Sequence, residues 1–275
     1  MEQILANGLY LGAQYALIAL GLTLIFSLMN VLNFAHGQMY VFGGFVTYTV
    51  VAQWGLPFIV GLFASAVILA IMGALIEVFL FRPVIRKSKR DESTMLLAVG
   101  IAFFLDAVIL LIFGEKQRGV PKIVDGVFNW DMRLIMPYDR ILIGVLGHLC
   151  RSLQQHEELA ASIGVNTANL RVLAYAISSF FGGLAGAVFV AISQSIYPSS
   201  FAVADSVNFM LCCFVGGLGF VTGPMLGTFL LYFGWDLLSI AKQYQSLIYS
   251  SAMIALMLVL PNGVLSLFDR KGGRK

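Results

Sequence analysis

A few polar residues interrupt the long apolar stretches of this chain, and they are the residues best placed to contact a polar solute. Asn33, His36 and Gln38 follow the first apolar stretch, and Asn208 begins a later one. Polar side chains are costly inside a bilayer, so they face the interior of a helix bundle or a water-filled cavity. We predict that such positions line a pathway through the protein. The candidate pathway residues, with the small residues that accompany them, are Asn33, His36, Gly37, Asn208, Gly216, Gly217 and Gly219.

The side chains that could bind a metal or catalyse a reaction are scattered. His36, His148 and His156 fall in separate places, and the last two are eight positions apart without a third ligand, whereas a zinc site needs three or four converging ligands. Cys212 and Cys213 are adjacent within an apolar run and poorly placed to bridge each other. The motifs of serine hydrolases, zinc proteases and ATP-binding loops are missing. We predict no metal, no cofactor and no catalysis in this chain, so that any ATPase would be another chain.

The composition predicts an integral membrane protein. Hydrophobic residues make up 59% of the 275 residues and charged residues only 11%, against about 25% charged residues in a typical soluble domain. A helix that crosses the hydrocarbon needs about 20 apolar residues. We predict a single all-α polytopic domain over 1–275, with about eight transmembrane helices, some broken or re-entrant. The apolar runs that predict them are 4–28, 39–51, 58–81, 95–113, 172–192 and 207–260, the last holding two or three helices.

The basic residues predict the orientation, because loops rich in lysine and arginine stay on the cytoplasmic side. Residues 82–90 hold five basic residues in nine, and 270–275 form a second basic cluster. We expect both to be cytoplasmic, and we expect Glu77, close to the first cluster, to form an ion pair with Arg82 at the membrane interface. The loop 114–140, whose charges nearly balance, is expected on the outer side, and so is the N-terminus. The net charge of +3 reflects basic cytoplasmic loops and does not indicate binding to nucleic acid.

A glycine cluster predicts a broken helix in the last apolar run. Residues 216–223 contain four glycines directly ahead of Pro224. Unwound backbone at membrane depth is tolerated only inside the protein or beside a water-filled cavity. The cluster is not a phosphate-binding loop, because it lacks the Lys-Ser/Thr that should follow.

Residues 148–171 form a polar island between apolar stretches, and their spacing predicts a short helix that ends at Gly164. One face of this helix is apolar and carries Leu153, His156, Ala160 and Ile163. Such a helix can lie on the membrane surface. It can also dock into the groove of a partner protein, where the small Ala160 and Ala161 would allow close approach. Spacing alone leaves both interpretations open.

The same island resembles the coupling loop of ABC importer permeases. The segment 158–164 is similar to the E-A-A…G pattern of that loop, with Leu159 in place of the first alanine. The residues that carry the resemblance are Glu158, Ala160, Ala161 and Gly164. The flanks of the loop resemble one subfamily, the permeases of branched-chain amino acid uptake systems and their amide and urea relatives. Further segments that resemble this subfamily are 15–21, 33–37, Glu77 with 82–84, 216–227 and 261–263.

The resemblance implies a transport subunit of the bacterial inner membrane rather than an enzyme. In such importers a second, usually homologous, permease pairs with the first. Each permease docks its coupling helix into a cytoplasmic ATPase subunit, which binds ATP and magnesium. A periplasmic or lipid-anchored binding protein delivers a small-molecule substrate. Branched-chain amino acids are the substrate that the subfamily implies first, and short amides and urea are alternatives.

One stretch departs from the family pattern. Only the short apolar run 141–147 stands where the family has a full transmembrane helix before the coupling helix. If that helix is absent, the coupling helix could be mispositioned, and transport competence would suffer. A self-contained channel or secondary carrier, a function from a different class, would need no segment that binds an ATPase. The polar island therefore distinguishes an importer permease from a channel or carrier.

Overall fold

The computed structural model describes most of the first half of the chain and several stretches of the second half. The described residues are 17–18, 21–25, 33–87, 91–121, 127–130, 134–137, 167–198, 203–217 and 226–231, with single residues or pairs between 244 and 258. The helices within them are α1 (His36–Tyr48), α2 (Phe58–Ile76), α3 (Arg82–Lys87), α4 (Asp91–Phe113), α5 (Thr167–Ser193) and α6 (Val203–Gly216). Residues 17–18, 21–25 and 226–231 are also helical.

Two short antiparallel ladders accompany the helices. The strands are β1 (Arg118–Gly119), β2 (Val127–Trp130), β3 (Leu134–Pro137) and β4 (Ser195–Ile196). β1 pairs with β4, so that Arg118 lies opposite Ile196 and Gly119 opposite Ser195. β2 pairs with β3 in a hairpin within the loop predicted at 114–140. The described part of that loop contains no helix, as its proline and glycine content predicted.

The described helices include three that are long and apolar enough to cross a membrane, namely Phe58–Lys87, Glu92–Phe113 and Arg171–Ser193. Their outward faces carry large apolar side chains such as Phe63, Phe104 and Leu111, which suit lipid or another membrane chain. The predicted class, a helical integral membrane protein, is therefore confirmed. The predicted total of about eight helices depends on runs that lie largely outside the described residues.

Two helices run past the ends that the sequence predicted, and each does so through a π-helical turn. α1 continues through Thr49–Gln53, and α2 continues through Glu77–Phe81 into α3. The predicted basic loop 82–90 is therefore helical as far as Lys87. The wider turn pairs the Arg82 N–H with the Glu77 carbonyl oxygen, five residues back. This shift of the backbone pattern lets the helix pass Pro83, which has no N–H to donate.

The core forms where α5 crosses α1 and α2 at small residues. A Cβ on Gly183 would lie 2.6 Å from the carbonyl oxygen of Ser65, and one on Gly186 would meet the carbonyl oxygen of Tyr40. The hydroxyl of Ser65 donates to the carbonyl oxygen of Gly183 at 3.0 Å. Small residues allow this close approach, and membrane helices use it because lipid gives little hydrophobic drive for helix association. α5 is thereby fixed against both neighbours.

Candidate functional site

A short non-helical turn leads into α1 and is held by its own polar groups. The side-chain oxygen of Asn33 accepts a hydrogen bond from the Ala35 N–H at 3.1 Å, and the His36 N–H donates to the Asn33 carbonyl oxygen at 3.2 Å. The sequence predicted a polar break through Gln38. The structure ends it at Ala35, because His36 already belongs to the first turn of α1.

His36 joins α1 to the first helical segment of the chain. It is fully buried, and its Nε2 lies 3.1 Å from the carbonyl oxygen of Ile18. Since a carbonyl oxygen can only accept, Nε2 carries the proton in this contact. The Nδ1 atom has no hydrogen-bond partner among the described residues.

Two glycines let neighbouring helices approach the imidazole of His36 closely. A Cβ on Gly21 would lie 3.0 Å from the ring and 2.8 Å from the carbonyl oxygen of Ser178. A Cβ on Gly182 of α5 would lie 3.5 Å from the ring. The hydroxyl of Ser178 donates to the Gly21 carbonyl oxygen at 2.6 Å. The first helical segment, α1 and α5 therefore meet at His36.

Gly37, next to His36, connects the start of α1 to α6. Its N–H donates to the hydroxyl oxygen of Ser206 at 3.1 Å. N–H groups in the first turn of a helix lack a partner within the helix, so Ser206 satisfies one of them from outside. A Cβ on Gly37 would collide with the Ser206 hydroxyl. A glycine at this position is what allows α6 to approach the start of α1.

The structure brings together three of the predicted pathway residues and separates the others. Asn33, His36 and Gly37 form one buried polar cluster. Asn208 is exposed on α6, because it lies two positions after the inward-facing Ser206 and such positions point to opposite sides of a helix. The remaining predicted pathway residues are Gly216 and Gly217 at the far end of α6 and Gly219, which lies outside the described residues.

α6 ends where the glycine cluster predicted a break. Its last residue is Gly216, and Gly217 has a φ of +112°, a conformation that favours glycine. The chain then packs back on the helix it has left, since a Cβ on Gly227 would meet the carbonyl oxygen of Cys212. The predicted break continues through Pro224, in a part of the chain outside the described residues.

A second polar site lies just past the C-terminal end of α2, around Glu77. Its side chain is only 1% exposed, and its Oε2 lies 3.8 Å from the Nε of Arg82. The predicted ion pair between Glu77 and Arg82 is therefore present. The positive charge of Arg171, near the start of α5, also acts on the carboxylate. Sequence reasoning missed Arg171 as a partner. The available signal was its position as the only charge at the entry to a long apolar helix.

The predicted ATPase-coupling residues lie outside the described residues. These are Glu158, Ala160, Ala161 and Gly164, and the histidines His148 and His156 lie there too. The described chain resumes at Thr167, as the first residue of α5. Among the described residues, no three metal-ligating side chains converge, and the buried thiols of Cys212 and Cys213 are not in a disulfide.

The long apolar helices and the buried polar cluster are typical of a membrane transport protein. A family described as the branched-chain amino acid transport system, permease component, matches residues 4–261, and the chain belongs to this family. The permease protein BraD of Pseudomonas aeruginosa is 26% identical over 96% of this chain and 95% of its own length. The permease proteins LivH and LivM of Escherichia coli K12 are 26% and 23% identical, over 96% and 91% of this chain and 94% and 67% of their own lengths. No solved structure matches the chain.

The relatives carry residues that this chain does not have. The alignments with BraD and LivH run over 296 and 299 residues, which exceeds the 275 residues of the whole chain. This length difference agrees with the shortened apolar run at 141–147 that the sequence shows, although it does not place the missing residues there.

Proposed function

We propose that this chain is the membrane-spanning permease subunit of an ATP-driven importer of the bacterial inner membrane, and that ATP is hydrolysed by a separate chain. The observation that carries the proposal is the position of the start of α5. α5 begins at Thr167, within the polar island 148–171. Near this start, Tyr175 packs against Phe81 beside α3, and the charge of Arg171 acts on Glu77. The chain therefore enters α5 at the basic end, which the distribution of lysine and arginine assigns to the cytoplasm.

The opposite end of α5 supports this assignment. α5 has 27 residues, which corresponds to a length of about 40 Å. It ends beside Gln194, whose carbonyl oxygen accepts from the Val120 N–H at 2.9 Å. Val120 belongs to the charge-balanced loop that the sequence places outside. The coupling residues Glu158, Ala160, Ala161 and Gly164 would then face the cytoplasm, where an ATPase subunit carrying ATP and magnesium would dock.

The proposal includes three partners. The relatives include both LivH and LivM, and this supports a second, homologous permease as the membrane partner. The exposed face of α6 that carries Asn208 would meet that partner or line the pathway that the two permeases share. A cytoplasmic ATPase and a periplasmic or lipid-anchored binding protein complete the importer.

For the substrate, we propose branched-chain amino acids or similar small polar solutes. The support is the printed function of the relatives, all of which are permeases for branched-chain amino acid transport. The buried Asn33–His36–Gly37 cluster offers hydrogen-bonding groups rather than a charged site. Urea and short-chain amides, the substrates of related systems, are the alternatives within the family.

The experiment is purification of the detergent-solubilised chain from its native host, followed by reconstitution in liposomes. We expect an ATPase and a second permease to copurify, and leucine uptake to require ATP. Glu158→Lys and Gly164→Asp should abolish substrate-stimulated ATP hydrolysis while the permease stays folded. Glu157→Lys, one position away, serves as the matched control.

Two other results would change the proposal. A chain that purifies alone and transports alone would be a channel or secondary carrier, and the polar island would then be a surface helix. ATP-dependent uptake of urea or acetamide without uptake of leucine would keep the importer and replace the substrate.

A further inference from the structure

Glu77 is a buried carboxylate that accepts no hydrogen bond from any residue the structure describes. Its nearest described cationic atom is Arg82 Nε at 3.8 Å, beyond the distance of a hydrogen bond. Neither carboxylate oxygen accepts a hydrogen bond from the described residues. A buried carboxylate normally needs both a counter-charge and hydrogen bonds to offset the loss of water. This arrangement therefore holds Glu77 by charge alone and leaves it free to gain better partners.

α5 presents two such partners to the same carboxylate. Arg171 contributes a second positive charge. Tyr175, about one turn further along α5, is fully buried, and its hydroxyl has no hydrogen-bond partner among the described residues. The charge of Glu77 also acts on Tyr175. Thus a carboxylate that accepts from no described donor is within electrostatic reach of a second cation and of a hydroxyl that has no described partner.

The backbone around Glu77 is suited to small displacements. Glu77 opens the π-helical turn Glu77–Phe81, and π-turns inside α-helices are frequent at functional sites. The ring of Phe81, which closes that turn, packs against Tyr175 with ring centroids 4.9 Å apart and an interplanar angle of 38°. A shift at the base of α5 would therefore act on the π-turn through Tyr175.

We propose that Glu77 is a positioning residue that transmits movement of the polar island into the helix core. In this structure the carboxylate lies 3.8 Å from the Nε of Arg82, and the charge of Arg171 acts on it from α5. In a second state of the transport cycle, α5 shifts so that Arg171 and the hydroxyl of Tyr175 bond the carboxylate directly. α5 would then have two packings, each with its own partners for Glu77. A ligand or an ATPase that binds one of the two states better shifts the population towards that state. This inference rests on the proposed function.

The test uses the complete importer in proteoliposomes, with both permeases, the ATPase and the binding protein. The measured quantity is the ratio of ATP hydrolysis with leucine-loaded binding protein to hydrolysis without it; urea or acetamide replaces leucine if leucine gives no stimulation. Glu77→Gln and Arg171→Gln should lower the ratio at least fivefold. Arg171→Lys, which keeps the charge, should restore at least half of it. Arg86→Gln, an exposed basic residue of α3, is the matched control and should leave the ratio unchanged.

The outcomes separate this inference from the proposed function. Glu77→Gln and Arg171→Gln complexes that fold and keep the wild-type ratio would overturn the inference and leave the importer intact. A lower melting temperature with an unchanged ratio would show a purely structural ion pair and would also overturn it. If Glu77→Gln does not fold, the inference is tested by the ratios of ATP hydrolysis in Arg171→Gln and Arg171→Lys, since both variants keep the carboxylate of Glu77. A wild-type chain with no associated ATPase would overturn the proposed function, and the inference with it.

Discussion

The two ends of α5 are held in different ways. At the C-terminal end, backbone hydrogen bonds fix the chain: β1 pairs with β4, and the Val120 N–H donates to the Gln194 carbonyl oxygen at 2.9 Å. At the basic end, where α5 begins, the described contacts are made by side chains: Tyr175 packs in an apolar cluster with Phe81 and Ile76, and the charge of Arg171 acts on Glu77.

The difference indicates which end can move. Backbone hydrogen bonds are directional and weaken steeply once distance and angle change. The attraction between charges falls slowly with distance and imposes little geometry. The end of α5 that lacks backbone pairing among the described residues can therefore shift more readily, whereas the paired end acts as a fixed support. The movable end is the one that carries the polar island.

If one end of α5 moves while the other stays fixed, the core between the two ends must be rigid. We therefore expect a substitution in this core to have the largest effect on stability. In Gly186→Val the new side chain would collide with the carbonyl oxygen of Tyr40, and backbone cannot yield as a side-chain tip can. Overpacking costs about 1–3 kcal/mol in cores that can adjust, and we expect a higher cost here, seen as loss of folded protein from the membrane. Gly100→Val is the control, because a Cβ there meets nothing within 4 Å. Normal accumulation of Gly186→Val would contradict the close packing of α5 on α1.

At the basic end, Arg82→Met should destabilise the protein by about 2–3 kcal/mol. Removing one partner of a buried ion pair typically costs about 3–5 kcal/mol, and Arg171 remains to offset part of that cost. Unfolding of the purified protein in detergent measures the change. Arg86→Met, on the exposed side of α3, should differ from wild type by less than about 0.5 kcal/mol. Equal effects of the two substitutions would mean that the Glu77 pair adds no stability.

At the hydrogen-bonded end, Arg118→Met should cost about 1 kcal/mol. Its guanidinium donates to the carbonyl oxygen of Phe113 at 2.9 Å and so satisfies a carbonyl at the end of α4. Because this end is the support rather than the moving part, the ratio of stimulated to basal ATP hydrolysis should not change. A reduced ratio in folded Arg118→Met importer would show that the C-terminal end also moves.

The smallest effect is expected at Gln194, which follows α5. Its φ of +52° is a left-handed conformation that costs a non-glycine residue about 1 kcal/mol. Gln194→Gly should therefore raise the stability by a few tenths of a kcal/mol up to about 1 kcal/mol, while the greater freedom of glycine in the unfolded chain limits the gain. Gln194→Val should lower it. A loss of stability in Gln194→Gly would show that the glutamine side chain contributes more than the strain costs.

The sequence predicted what depends on composition and local pattern. The membrane class, the Glu77–Arg82 pair and the end of α6 at Gly216 all follow from residues that are close together in the chain. The π-helical turns could not be predicted: the turn at Glu77–Phe81 comes just before Pro83, but the turn at Thr49–Gln53 has no such residue to signal it. The hydrogen bond of Gly37 to Ser206 and the effect of the Arg171 charge on Glu77 join residues far apart in the chain, and the sequence has no local signal for them.

The measurement that tests the account most directly is the sidedness of three single cysteines in a background without Cys150, Cys212 and Cys213. Lys87→Cys, Asn169→Cys and Lys116→Cys are at exposed positions and can be labelled with a membrane-impermeant thiol reagent from either side of the membrane. The account predicts that Lys87→Cys and Asn169→Cys are labelled only from the cytoplasmic side and Lys116→Cys only from the other. Labelling of Lys87→Cys and Asn169→Cys from opposite sides would contradict it, because the polar island would then not leave the bundle at the basic end.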